Sequence, residues 1–327
     1  MWIVILFLGV FSVTSFCNMK NNKVAYGAFW AFALVYCLRE ETGVDWSIYE
    51  NYYNNIHNAF IVNGRGFEKG FYLLNLVFAN LGLQFKNMIF VIGMFNCLLF
   101  FKATRKYTNN FGIAILIAFY FFFYPSFETL RTSISIMLFY VSLEQIDSDV
   151  KKYTILNVLG FFFHRSAIIS FVFLIFHKYK KFRFIFPVSC LGINLLWPII
   201  NKIIVFLPKT ISARFQLYFI DRAQNISLIQ LVSLKLIECI IIVLILHFVI
   251  KKNYIEKLAE ELLLVGIWVT LFMGSFTNMY YRFTYYSDVA LIIVYSNLYS
   301  RLKSIKQKIL YVSFLVGYTI IRFIRIL

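Results

Sequence analysis

Acidic residues are scarce in this chain: 15 Asp and Glu in 327 residues, with all charged residues together making only 14% of the sequence. A soluble domain carries about a quarter charged residues. Proline is scarcer still, at 4, and glycine stops at 14, so the chain has little loop material. Histidine occurs 4 times (His57, His164, His177, His247), which argues against a histidine-rich metal centre. No H-E-x-x-H, G-x-S-x-G, G-x-G-x-x-G or P-loop pattern is present, so zincin, serine-hydrolase, dinucleotide and Walker-type nucleotide chemistry have no sequence support. The 5 cysteines (Cys17, Cys37, Cys97, Cys190, Cys239) lie in or beside apolar runs without a C-x-x-C pair. They read as small hydrophobes, not as disulfide or metal ligands.

What fills the chain instead is bulky apolar surface. The sequence is 61% hydrophobic, with 39 Phe and 22 Tyr, and its mean hydropathy is +0.75. One soluble core cannot hide that much. The solvent of such a chain is lipid, and at about 20 residues per crossing its length allows about ten to twelve membrane helices. Continuous runs without ten-residue alternation exclude an outer-membrane β-barrel. The expected fold is all-α: a single polytopic membrane domain spanning 1–327 with about 10–12 membrane helices, external loops at 39–69 and 208–227, and re-entrant or broken helices allowed. The apolar run 2–17 lacks a basic flank and a clear cleavage pattern, so it reads as the first helix rather than a signal peptide.

The net charge of +17 would suggest a nucleic-acid partner in a soluble protein. Here the basic residues cluster between apolar runs (Lys102 to Lys106, Lys178 to Arg183, Lys251 and Lys252, Arg301 to Lys308), as the positive-inside rule produces. No nucleic-acid partner is expected. Treating every run as a crossing leaves the basic residues nearly balanced across the membrane. Making 84–87 and 164–165 the apices of broken or re-entrant helices moves 102–110 and 147–153 inside and satisfies the rule better, provided protein buries the non-spanning backbone. Sequence leaves both arrangements open over 84–176.

Polar residues in lipid-facing runs are costly and mark function. The segment from Arg39 to Phe71 holds Glu40, Glu41, Asp45, Glu50 and Glu68, a third of the acids, with Tyr49, Tyr52 and Tyr53 on one face of a helix. It reads either as an interfacial aromatic belt with solvated acids or as a saccharide platform of carboxylates over aromatic rings. Glu128-Thr-Leu-Arg131 reads as a loop salt bridge or a site. His164-Arg165 interrupts a long apolar stretch where a straight helix would bury both. Asn278 to Asp288 joins Arg282 to four tyrosines, Tyr285 among them, with a helix-joining ion pair as the structural alternative. Arg214 beside Phe215 and Tyr218 is a further candidate. Arginines suit a phosphate or diphosphate, which their planar fork grips through paired charged hydrogen bonds.

Asp45 with Tyr49 and Tyr53, Glu68-Lys-Gly-Phe71, Leu130-Arg131, Phe163-His164-Arg165-Ser166-Ala167-Ile168-Ile169 and Arg282-Phe283 together resemble the EpsG family of bacterial polysaccharide polymerases, within the broader Wzy-type O-antigen and capsule polymerases. Members usually read closer to E-P-G-F where this chain has Glu68-Lys69-Gly70-Phe71. The resemblance implies a glycosyltransferase of the bacterial cytoplasmic membrane that joins undecaprenyl-diphosphate-linked oligosaccharide repeats on the outer face. It implies lipid-linked donor and acceptor, membrane lipid and a chain-length regulator protein as partners, and neither cofactor nor metal. Lipid-linked oligosaccharide flippase, membrane O-acyltransferase and GT-C-type transferase are the rival activities. Within the polymerase reading, Glu68, Asp45 and His164 are the catalytic candidates. Arg131, Arg282, Arg214, Arg165, Tyr49, Tyr53 and Tyr285 are the substrate-binding ones. Glu68, beside the start of a membrane helix, is expected to have its pKa raised by desolvation and to serve as base, with an ion pair to Arg65 or Lys69 as the structural alternative. Asp45 is expected to position Tyr49.

Overall fold

The computed structural model describes residues 2–16, 23–43, 45–58, 67–179, 181, 234–273 and 277–324. Among them every regular element is helical, and they group into two compact units, Met1–Ile168 with Leu291–Leu327, and Ile169–Ala290.

The first unit begins with α1 (Trp2–Phe16) and α2 (Lys23–Cys37), both apolar throughout. The short α3 (Trp46–Asn54) turns Tyr49 and Tyr53 inward. Helix α4 (Lys69–Asn80) has 12 residues, too few to cross a bilayer. It stops where Gly82 adopts φ +68°, with Gly82 N–H donating to Ala79 O (2.9 Å) and Leu83 N–H to Phe78 O (3.1 Å). This is a Schellman cap, whose left-handed residue costs least as glycine. Helix α5 (Phe85–Tyr107) follows at once and has 23 residues, about 34 Å at the usual rise. Helix α6 runs over Phe111–Glu128 and contains a π-helical stretch, Phe119–Phe123. The wider turn falls just before Pro125, whose missing N–H and ring an ordinary helical turn would not accept. Among the described residues α5 and α6 are the two helices long and apolar enough to cross a membrane.

Helix α7 (Leu130–Ser142), the one-turn α8 (Gln145–Ser148) and α9 (Val150–Phe163) complete the bundle, with the C-terminal part of α13 (Thr277–Arg301) and α14 (Ile305–Ile324). Asn110 caps α6 and Asp149 caps α9, each carboxyl or amide oxygen accepting a backbone N–H at 3.0 Å (Ile113, Lys152).

The ends of these helices fall at two levels. Lys86, at the start of α5, pairs with Glu40 at 3.9 Å, and Gly43 lies against the Phe127 carbonyl at the end of α6. At the far end of α5, Lys106 pairs with Glu144, and the Tyr107 hydroxyl donates to Val141 O (3.2 Å) and accepts from Glu144 N (3.1 Å). So α5 runs away from the Glu40 end, α6 returns to it, α7 leaves it again and α9 comes back. The turn at 81–86 shares a level with Glu40, while the basic end of α5 and the 144–150 turn lie opposite.

The second unit holds the body of α10 (Ile168–Lys178), α11 (Leu234–Leu244, running into a π-helical Ile245–Val249), α12 (Tyr254–Met273) and the first part of α13. Phe176 meets Trp268 ring to ring at 4.3 Å. Asn253 and Glu256 cap α12 reciprocally, Asn253 Oδ1 accepting from Glu256 N (2.8 Å) and Glu256 Oε2 from Asn253 N (2.9 Å). The loop 208–227 and Arg214 lie outside the described residues.

Candidate functional site

His164 is where the apolar stretch breaks. Helix α9 ends at Phe163, His164 is extended (φ −154°, ψ 131°), and Arg165–Ala167 forms a single 3-10 turn before α10. The break removes the difficulty of two ionisable residues on one straight buried helix: His164 turns inward, 6% exposed, and Arg165 outward. Ser166 N–H donates to His164 Nδ1 (3.2 Å), and the Ser166 hydroxyl lies 2.6 Å from the same nitrogen. A nitrogen that accepts an N–H carries no proton, so in the neutral ring the proton sits on Nε2, which is a donor. Ser166 stands in the sequence motif around His164 with no role of its own assigned there, although His-x-Ser is the spacing of a side chain capping its own turn.

Gly70 brings α4 to this break. A Cβ there would lie 2.6 Å from the Phe162 ring and 2.8 Å from its carbonyl oxygen, so only glycine permits the approach. The close packing sets Glu68, the residue before α4, between two elements. One carboxylate oxygen accepts from Arg165 N (3.4 Å), and the other pairs with Arg131 Nη1 in the first turn of α7. Among the described residues Lys69 is not the partner, and Arg131 is not held by Glu128 across a loop. Arg65 itself lies outside the described residues.

Arg131 is 9% exposed. Its guanidinium lies over the Phe67 ring at 4.0 Å and 5.9 Å from the Tyr49 ring, where aromatic faces favour a cation. The Tyr49 side chain also engages it. Its Nε is buried with no hydrogen-bond partner. Burial pushes the Glu68 carboxyl up, as expected, but Arg131 and then His164 and the Arg165 amide more than offset it, so Glu68 is held below the ordinary carboxylate range. At neutral pH it is a counter-ion to Arg131.

The other residues fall in two groups. Asp45 stands at the start of α3, half-buried, and its carbonyl accepts from Tyr49 N at 3.0 Å, so it is tied to Tyr49 through the backbone. Tyr49 packs on Phe67 (5.3 Å) and Phe71 (5.5 Å) beside Arg131. Tyr53 faces away, its hydroxyl donating to Leu83 O (2.6 Å) and its ring 5.7 Å from Phe85. Arg282 and Tyr285 belong to α13 in the second unit. There Lys235 sits over the Tyr285 ring at 5.8 Å and pairs with Asp288 at 2.7 Å, joining α11 to α13. An ion pair between helices in this segment is therefore present, through Lys235 and not Arg282.

Among the described residues every regular element is helical, two helices are long and apolar enough to cross a membrane, and Glu68, Arg131 and His164 gather at a helix break. The EpsG family model matches residues 24–327. The chain belongs to the EpsG family, and is a membrane protein of the polysaccharide-polymerase type. No match was found among curated proteins or among solved structures.

Proposed function

We propose that this protein joins undecaprenyl-diphosphate-linked oligosaccharide repeats on the outer face of the bacterial cytoplasmic membrane, acting as a multi-pass glycosyltransferase without cofactor or metal, its residues 1–327 forming one membrane domain. The observation that carries the reading is the Glu68–Arg131 pair set against the His164 break. Transfer of a glycan from a lipid diphosphate requires cations at the leaving group and a base at the acceptor hydroxyl. Both lie in this one cluster. The donor diphosphate draws Arg131, whose unpartnered Nε and planar fork can take two phosphate oxygens. Glu68 then loses its counter-ion while remaining buried, and its carboxyl rises toward the range of a useful base. It takes the proton of the acceptor hydroxyl, the hydroxyl oxygen bonds to the anomeric carbon, and the anomeric C–O bond breaks with its electron pair leaving on the diphosphate. His164, a donor through Nε2, and Arg165 steady the developing charge. Asp45 holds Tyr49 beside Arg131. Arg282, Arg214, Tyr53 and Tyr285 are assigned to substrate binding, and a chain-length regulator is the expected protein partner.

The test is the polysaccharide of a deletion strain, displayed on a gel. A single repeat unit in place of the polymer ladder is expected; an unchanged ladder refutes the reading.

A further inference from the structure

At the start of α5 the first unit opens a cleft of about 470 Å³ between the 40–54 segment and the 83–86 turn, within the range of about 300–1,000 Å³ usual for ligand sites. Its apolar wall is aromatic: Trp46 meets Phe85 edge to face at 5.1 Å, and Tyr53 is fixed by its hydrogen bond to Leu83 O. Its polar wall carries Glu40, Glu41 and Glu50 with, among the described residues, one cation, Lys86, which Glu40 approaches at 3.9 Å. The Trp46 indole N–H is buried and has no hydrogen-bond acceptor.

We infer that this cleft binds non-acidic sugar residues of the oligosaccharide repeat, separately from the site that holds the diphosphate. The inference rests on the polymerase reading for the identity of the saccharide. Three carboxylates against one lysine repel uronic and other acidic sugars, while each carboxylate can accept hydroxyl hydrogen bonds from a neutral or amino sugar. The aromatic wall offers a face for the apolar side of a sugar ring, and the Trp46 N–H lacks the acceptor that a sugar oxygen would supply. The same charge keeps a diphosphate out. It is directed instead to Arg131, a separate place along α5: Asn96, well along that helix, donates to Ser133 Oγ (2.8 Å), two residues past Arg131, whereas the cleft stands at the first residues of α5. Segregation of charge therefore orients the substrate, glycan in the cleft and phosphate at Arg131.

The probe is the free repeat oligosaccharide, released by mild acid from the lipid-linked units of the deletion strain and titrated into the purified full-length protein. Wild-type binding is expected, weakened about tenfold or more by Trp46→Ala and several-fold by Glu50→Gln, with Trp46→Phe close to wild type. Thermal unfolding of each variant separates lost binding from lost folding, and Glu50→Gln at the rim carries the test if Trp46→Ala is unstable. No wild-type binding, equal binding by wild type and by folded Trp46→Ala and Glu50→Gln, or an acidic sugar bound by wild type as tightly as a neutral one each overturns the inference and leaves the polymerase reading standing. A deletion strain that accumulates no lipid-linked units refutes that reading, and the cleft assignment with it.

Discussion

Glu68 and Arg131, 63 residues apart in sequence, form an ion pair at the N-terminal ends of α4 and α7, with side chains only 14% and 11% exposed. Each is the other's neutraliser in a poorly solvated place. Removing one partner of such a pair leaves the other as a buried uncompensated charge, which costs about 3–5 kcal/mol.

That cost sets the choice of variants. Glu68→Gln keeps shape and a hydrogen-bond acceptor but cannot take a proton, and polymerisation of purified lipid-linked repeats is expected to fall by about 10²–10⁴. Substrate binding should survive. An unchanged rate removes Glu68 as base and transfers that role to Asp45.

Arg131→Lys preserves the charge and discards the planar fork and the Nε–H. We expect a rise in KM for the lipid-linked donor together with a fall in kcat of about tenfold or more, since both binding and charge development use the same guanidinium. Normal kinetics in this variant would rule out bidentate diphosphate recognition here.

Stability should depend on pH through Glu68. Its carboxyl is held below the ordinary value of 4.5 in the folded protein. The pair therefore contributes fully above about pH 4.5 and is lost as pH falls through the lowered folded value. In thermal unfolding of the detergent-solubilised protein, wild type should lose stability relative to Glu68→Gln across that acid range. Parallel curves would show that the carboxyl is not held down by its partner.

Gly70→Ala tests the route by which the site is assembled. The added methyl meets the Phe162 backbone carbonyl at 2.8 Å, an atom that cannot rotate away. Helix α4 must shift from the break at His164, and activity is expected to drop by more than the loss of stability explains. Wild-type activity with intact folding would show that Glu68 reaches its partners without this contact.

Topology is open to cysteine labelling in intact cells. Lys106→Cys and Ser304→Cys are expected to resist a membrane-impermeant reagent from outside, and Glu41→Cys to react. Outside labelling at Ser304→Cys would invert the orientation.

Much of this protein was decided by its sequence alone. Hydropathy is a local property, so the apolar runs and the dearth of acids were enough to specify an all-helical membrane protein. His164-Arg165 inside an apolar stretch was legible as a costly interruption, because a straight helix would strand both in lipid, but the break itself came from the fold. The partner of Glu68 was not legible. Lys69 is its neighbour in the chain, yet the cation that reaches the carboxylate is Arg131, brought there by Gly70 against Phe162 and by the packing of the start of α7 beside the end of α9. The direction of the Glu68 pKa followed from that choice: burial alone pushes a carboxyl up, and Arg131, with smaller help from His164 and backbone amides, pulls it below its usual range. Tyr49 and Tyr53, equivalent by spacing, were likewise parted by packing, one beside Arg131 and the other anchoring the cleft wall through Leu83. Which charge meets which is a matter of how helices pack, and the spacing of residues along one chain does not contain it.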